Sequence, residues 1–265
     1  MSEPPVFVAP APLASVAADD VADDWDQSRM TLIEHLEELR KVLIISLIAW
    51  AVTSIIGIAA SAWVIEQLVR PLRYLATTNP DAAKLHYFGL FGYFGIRLKV
   101  GLAVGLAIAL PVILQQFWSF ISPGLRPQER RFARPLLISS LTLFALGAAL
   151  AYVFLFIAVR FLAPFVSGPD LVLFTGADEY LGFVVILMLA FAVTFEFPVA
   201  LVLLASAGLV SSASLRKKRL AAIFIIIAVA LIVTPGVDPV TPMALAVPLV
   251  LLYEGSIQVI RRMGK

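Results

Sequence analysis

Three glutamates in apolar or basic surroundings are the residues of this sequence best suited to chemistry. Glu196 stands inside a long apolar run, Glu129 precedes two arginines, and Glu38 lies in a polar segment before the first apolar run. Other reactive groups are scarce, because the chain has no cysteine and its two histidines, His35 and His86, lie far apart. Disulfides, thiolate metal sites and cysteine nucleophiles are therefore excluded, and we expect neither a metal nor a cofactor.

The composition indicates that these carboxylates work in or beside a membrane. The chain has 265 residues, of which 61% are hydrophobic and 14% charged, and its mean hydropathy is +0.96. Soluble domains contain roughly 45–50% apolar and about 25% charged residues. Repeated apolar runs approach the roughly 20 residues that a membrane helix needs, whereas the short alternating segments of an outer-membrane barrel are missing. The predicted fold class is an all-α polytopic membrane protein.

The apolar runs divide the chain into six predicted spans. A short amphipathic helix over residues 30–41 precedes the first span, and Thr31 and Glu34 in it have capping-box spacing. Pro111 is expected to interrupt the second span and Pro198 to bend the fourth. The fifth span has about 14 residues, or about 21 Å of helix, against a hydrocarbon core of about 30 Å. Spans five and six are therefore predicted to form a short hairpin. The predicted spans are residues 42–65, 96–121, 135–159, 181–209, 220–233 and 243–260.

The placement of basic residues predicts that both termini are cytoplasmic. Fourteen of the 20 Lys and Arg residues lie at the start of the first span, at the end of the last, and in two loops, 122–134 and 211–219. The positive-inside rule puts these segments in the cytoplasm and the segments 66–93 and 160–177 outside. Residues 1–28 carry six acids and no Lys or Arg, unlike a signal peptide, and are predicted to be a disordered cytoplasmic tail. Residues 29–265 are the predicted membrane domain.

Each polar candidate has a structural interpretation beside a functional one. Glu129 could be a loop acid paired with its neighbouring arginines, and Glu38 a solvated helix-face residue, but a carboxylate also binds a guanidinium group bidentately. Glu196 could be a neutral acid bonded to another helix. An ionisable group inside a span costs about 2.5–3.5 kcal/mol on insertion scales, so we expect it to face the bundle interior or a water-filled cavity. For Asp238, which lies in a turn, an Asx-turn role and a functional role are equally open. For Gln116, near the end of span two, a hydrogen bond between helices is the default interpretation.

Four segments, in order along the chain, resemble the TatC family. They are HLEELRK at 35–41, FISPGLRPQERR at 120–131, FEFP at 195–198, and LRKKR followed by TPGVDP at 215–239. The resemblance covers residues 29–262. It implies a concave six-span bundle that is not an enzyme. It also implies the receptor subunit of the twin-arginine translocase, which moves folded proteins across the inner membrane with the proton-motive force.

The resemblance also assigns roles to individual residues. It implies that Glu38, Glu129, Arg40 and Arg130 bind the twin-arginine signal peptide at the cytoplasmic face. The implied partners are the signal peptides of folded substrates, TatA- and TatB-like single-span proteins, other copies of the chain and membrane lipid, with no nucleic acid.

A second group of candidate residues belongs to the membrane-spanning part, and for Glu196 the resemblance implies the position. Glu196 is expected to face the concave side of the bundle, and Gln116 and Asp238 are further polar candidates of this group.

A proton-coupled secondary transporter is the alternative function. Glu196 in a broken helix would suit it, although six spans with no apparent internal repeat fit that class poorly. A membrane enzyme is disfavoured because the sequence has neither an HExxH motif nor a nucleophile–base set. Solute flux in vesicles would indicate a carrier, and binding of a twin-arginine peptide would indicate a receptor.

Overall fold

The computed structural model describes residues 32–77, 85–89, 91–121, 133–166, 175–233 and 240–264. Helices make up almost all of these ranges, so the predicted all-α class is confirmed. The predicted tail, residues 1–28, lies outside the described residues. In chain order the helices are α1 Leu32–Val69, α2 Gly92–Ile121, α3 Ala133–Val166, α4 Ala177–Thr194, α5 Phe197–Ser206, α6 Ser212–Lys217, α7 Arg219–Val233 and α8 Val240–Arg262.

The described helices fit a six-span layout. Four of them, α1, α2, α3 and α8, are long and apolar enough to cross a membrane, and α4 and α5 together make one further span. The remaining apolar helix, α7, corresponds to span five. It has 15 residues, which at 1.5 Å per residue is about 22 Å. The predicted shortness of span five is therefore confirmed. Span six, α8, is shorter than α1, α2 and α3, but its 23 residues still reach about 34 Å.

Two local predictions were wrong. The amphipathic helix predicted to lead into the first span is not one of them, since it continues into that span as one helix of 38 residues. Helix α2 continues through Pro111 without a break, as membrane helices can when their surroundings satisfy the freed carbonyl. The predicted loop 211–219 contains the short helix α6. Ser211 is its N-cap residue, and the Ser211 hydroxyl accepts a hydrogen bond from the Ser214 N–H at 3.2 Å.

The two segments predicted to lie outside are joined by a small strand pair. After α1 the chain forms a 3-10 helix, Arg70–Thr77. The two-residue strands β1 Leu85–His86 and β2 Thr175–Gly176 then pair in parallel. Helix α4 follows β2 directly, so this pairing fixes where the fourth span begins.

Helices α1 and α2 pack with their backbones in contact. A Cβ atom added at Gly57 would lie 2.1 Å from the Gly101 carbonyl oxygen, and one added at Gly105 would lie 2.5 Å from the Ser54 Cα. Such approach is the usual use of small residues between membrane helices. We call this contact, formed by Gly57, Gly101 and Gly105, the glycine interface.

Polar bonds cross the same pair of helices. The Thr53 hydroxyl lies 2.7 Å from the Gly105 carbonyl oxygen, and the Trp50 indole N–H donates to the Leu102 carbonyl at 2.9 Å. The Arg97 guanidinium donates to the Ser61 hydroxyl at 3.0 Å and to the Ile58 carbonyl at 3.2 Å. The first two spans are therefore held by packing and hydrogen bonds together.

The remaining helices pack mainly through apolar side chains. Phe191 of α4 and Leu245, Leu249 and Tyr253 of α8 are fully buried in one cluster that also includes residues of α3, α5 and α7. The Tyr253 hydroxyl donates to the Leu215 carbonyl of α6 at 2.8 Å.

Candidate functional site

The fourth span breaks at Glu196. Helix α4 ends at Thr194 and α5 begins at Phe197, with Glu196 as its N-cap residue. Pro198 lies in the first turn of α5 and explains the break, because proline has no N–H to donate and its ring clashes with the carbonyl four residues earlier. That carbonyl belongs to Thr194, the last residue of α4. The bend predicted from Pro198 is thus a helix break.

Only one oxygen of the Glu196 carboxylate is bonded within the described part of the chain. The Ser140 hydroxyl of α3, itself 3% exposed, donates to Glu196 Oε2. The other oxygen, Oε1, is buried and has no hydrogen-bond partner among the described residues. A buried polar atom without a partner is costly, so this oxygen is available to a water or to an incoming donor.

Glu196 lines a cavity between α2, α3 and α5. The cavity has a volume of about 240 Å³, and apart from Glu196 its lining includes Ser140, Trp118 and apolar side chains such as Phe117 and Leu203. Gln116, predicted as a further polar residue of the membrane interior, is half-buried on α2 and does not line this cavity. The cavity therefore brings Glu196 together with a residue of α3 rather than with Gln116.

Glu38 lies near the start of α1. It is half-buried, and its Oε2 is buried without a hydrogen-bond partner among the described residues. One turn earlier, the His35 ring stacks on Phe120 of α2, with ring centroids 4.3 Å apart. Arg40, also a predicted site residue, is exposed. The stacking contact puts the start of α1 beside the end of α2, where the segment containing Glu129 begins.

Three predicted site residues lie outside the described residues, namely Glu129, Arg130 and Asp238. Within the described ranges, no group of three or more His, Cys, Asp or Glu side chains could hold a metal ion.

Sequence reasoning missed Ser140 and the glycine interface. Ser140 is 56 residues from Glu196, and nothing local in the sequence indicates that α3 would bring its hydroxyl to that carboxylate. A signal for the glycine interface was present, because Gly101 and Gly105 have the GxxxG spacing of close helix pairs.

Comparison with known proteins agrees with this architecture. The family model for the Sec-independent protein translocase protein (TatC) matches residues 34–248. The chain belongs to the TatC family. It is 38% identical over 237 residues to the TatC of Frankia casuarinae, covering 86% of this chain and 65% of that protein. It is 35% identical over 229 residues to the TatC of Carboxydothermus hydrogenoformans, covering 86% of this chain and 91% of that protein.

A solved TatC structure has the same fold. The crystal structure of a twin-arginine translocase receptor, TatC, superposes with a TM-score of 0.72 at 37% identity, covering 88% of this chain and all of the solved one. This TatC-family chain is therefore a multi-pass membrane protein of a protein translocase. That membership favours a translocase component over the proton-coupled carrier that Glu196 alone had left open.

Proposed function

We propose that this chain is the receptor subunit of a twin-arginine translocase and binds signal peptides at the membrane end that holds the start of α1. The supporting observation is Glu38 Oε2, which is buried without a hydrogen-bond partner among the described residues, because such a carboxylate oxygen is suited to a guanidinium donor. We further propose that this end faces the cytoplasm of the cell, with both termini on that side, from the distribution of Lys and Arg. We also propose that residues 29–265 form one membrane domain.

Glu129 would supply the second carboxylate of this site. Glu129 follows the last residue of α2 by eight positions, and the end of α2 lies against the start of α1, since His35 stacks on Phe120. Two carboxylates on separate segments match two adjacent arginines in the ligand, each bound as a fork. Arg40 and Arg130 complete the proposed site.

Charge reversal tests the two acids. Glu129→Lys should abolish photo-crosslinking of a twin-arginine peptide, and Glu38→Lys should reduce it, because one carboxylate would remain. Glu37→Lys is the matched control, since Glu37 is exposed on the same turn of α1 and should crosslink normally. Normal export by Glu129→Lys cells would refute the assignment of Glu129, and Glu38→Gln with unchanged crosslinking would make Glu38 a surface residue.

Glu196 would act after peptide recognition. Its free oxygen lines a cavity within the span, so it can accept hydrogen bonds from a polar segment entering the bundle, and we expect water to reach it. Glu196→Ala should leave peptide crosslinking nearly unchanged and slow export. Ser140→Ala, which frees the second oxygen but keeps the acid, should retain more export. An alanine variant with wild-type export would make Glu196 a structural residue.

The short helix α7 is the proposed docking edge for partners. Its roughly 22 Å of helix falls about 8 Å short of the hydrocarbon core, so the bilayer should thin around it. TatA- and TatB-like single-span helices, or further copies of this chain, would gather at that edge, alongside lipid. A photo-crosslinker at Phe224 of α7, which is 73% exposed, should capture such a helix in intact membranes. One at Leu47 of α1, 60% exposed, should capture mainly lipid, and equal capture at both would contradict the proposal.

A further inference from the structure

A groove between α3, α5 and α8 adjoins the Glu196 cavity, with which it shares Leu136 and Val199. Its volume is about 460 Å³, and its lining includes Pro135 at the start of α3, Val202 of α5, and Gly255 and Val259 of α8. The groove contains the first turns of α3 and the last turns of α8. It therefore lies at the end of the bundle that also holds the start of α1 and the proposed receptor site.

The groove presents an apolar surface although two serines line it. The Ser139 hydroxyl donates to the Pro135 carbonyl at 2.8 Å, and the Ser256 hydroxyl donates to the Leu252 carbonyl at 2.7 Å. Both hydroxyl protons are thus used within their own helices. An occupant needs to supply no hydrogen bond here, which suits a hydrocarbon chain.

Gly255 keeps the groove open. Apart from the backbone of its own helix, a Cβ atom added at Gly255 would have no atom within 4 Å, whereas one added at Gly57, or at Gly147 of α3, would come within 3.0 Å of a neighbouring helix. Glycine has a free-energy cost relative to alanine inside a helix. At Gly57 and Gly147 the close packing of a neighbouring helix explains why glycine is present. At Gly255 no neighbouring helix packs closely, so the missing side chain leaves space for a molecule bound in the groove.

A cation lies next to the lining of the groove, because Arg262 directly precedes Met263, which lines it. Arg262 follows Val259 by three residues and therefore shares its side of α8, while Arg261 points to the other side. Arg262 is exposed and has no ion-pair partner in the part of the chain that the structure describes. It is also the last residue of the sixth span, and the ends of membrane helices are expected at the level of the lipid headgroups.

We propose that this groove binds one anionic phospholipid, with an acyl chain along Gly255 and Val259 and its phosphate on Arg262. The apolar lining accommodates the chain, and the guanidinium pairs with the phosphate. Basic positions beside grooves between membrane helices are suited to such headgroups.

Native mass spectrometry of the full chain, released from micelles containing equal amounts of phosphatidylglycerol and phosphatidylcholine, tests the headgroup. The wild-type chain should retain a phosphatidylglycerol adduct in preference to phosphatidylcholine. Arg262→Gln should lower that preference about fivefold, which corresponds to about 1 kcal/mol for one basic residue near the surface. Arg261→Gln is the matched control and should change it less. An unchanged preference in Arg262→Gln overturns the headgroup assignment.

A second variant tests the groove itself. Gly255→Leu should fold, because the space is free and leucine favours a helix, and should lose the adduct with either headgroup. Ala221→Leu is the control, because it puts the same side chain at an exposed position of α7, and this variant should retain the lipid adduct. A full adduct in Gly255→Leu overturns the proposal. If Gly255→Leu keeps its lipid but forms smaller oligomers, the proposal is also overturned. The occupant of the groove would then be a second copy of the chain.

Discussion

The two halves of this bundle are held together by different means. Between α1 and α2 the backbones touch at the glycine interface, and Thr53, Trp50 and Arg97 bond across it. Around α7 and α8 the packing is apolar and leaves grooves, such as one of about 510 Å³ between these two helices. The Arg219–Glu254 ion pair, at 2.6 Å, joins them at the surface. The first two spans are thus held by backbone contact and polar bonds, whereas the last two are held mainly by apolar packing beside the grooves in which we propose that lipids and partner helices bind.

The sharpest test of this difference replaces one glycine in each half by alanine. Gly57→Ala puts a Cβ atom 2.1 Å from the Gly101 carbonyl oxygen, so the helices must separate, and we expect a loss of about 3 kcal/mol in the free energy of unfolding. Gly255→Ala meets open space and should gain up to about 1 kcal/mol from helix propensity. Unfolding by SDS in mixed micelles, followed by circular dichroism, measures both values. Equal losses would show that the two halves are packed alike.

The arginines of the two halves should also differ. Arg97→Gln removes two hydrogen bonds between α1 and α2, and bonds from a charged donor contribute about 1.5 kcal/mol or more. Arg219→Gln removes an ion pair whose side chains are 47% and 33% exposed, and such pairs contribute about 0.2–1 kcal/mol. The same SDS titration ranks the two. If Arg219→Gln lowers the free energy of unfolding more than Arg97→Gln does, the stronger polar contact joins α7 and α8, and the comparison drawn above is wrong.

The smallest expected effect concerns a single hydroxyl. The Thr53 proton has three carbonyl acceptors within reach, and the shortest contact, 2.7 Å, is with Gly105 on the other helix. Thr53→Val should therefore cost about 0.6 kcal/mol, the average for such bonds in membranes. Thr142→Val is the control, because its hydroxyl donates to the Ile138 carbonyl of its own helix at 2.8 Å. If both variants lose the same amount, the bond between helices contributes nothing of its own.

Much of the fold was predictable because lipid imposes simple rules on composition and length. Apolar runs located six spans, and counting residues identified α7 as short. Pro198 indicated where span four departs from a regular helix. These features depend on local sequence alone.

The neighbours of each helix could not be predicted in the same way. The Ser140–Glu196 bond depends on which faces of α3 and α5 meet, and apolar helices without a strong stripe do not reveal this. The continuous course of α2 through Pro111 likewise depends on its surroundings. For the site, Glu196 was identified from its cost in lipid, whereas the assignments of Glu38 and Glu129 came from motif resemblance.

The glycine interface also bears on the order in which the chain assembles during synthesis. Its two helices are adjacent in sequence, so they can dock as soon as α2 leaves the ribosome, before the later spans exist. The contact between Tyr253 and Leu215 must wait until the last helix has been made. We therefore expect that a chain truncated after α2 inserts as a stable hairpin. The grooves beside α8 would then be the last surfaces to form in the nascent protein.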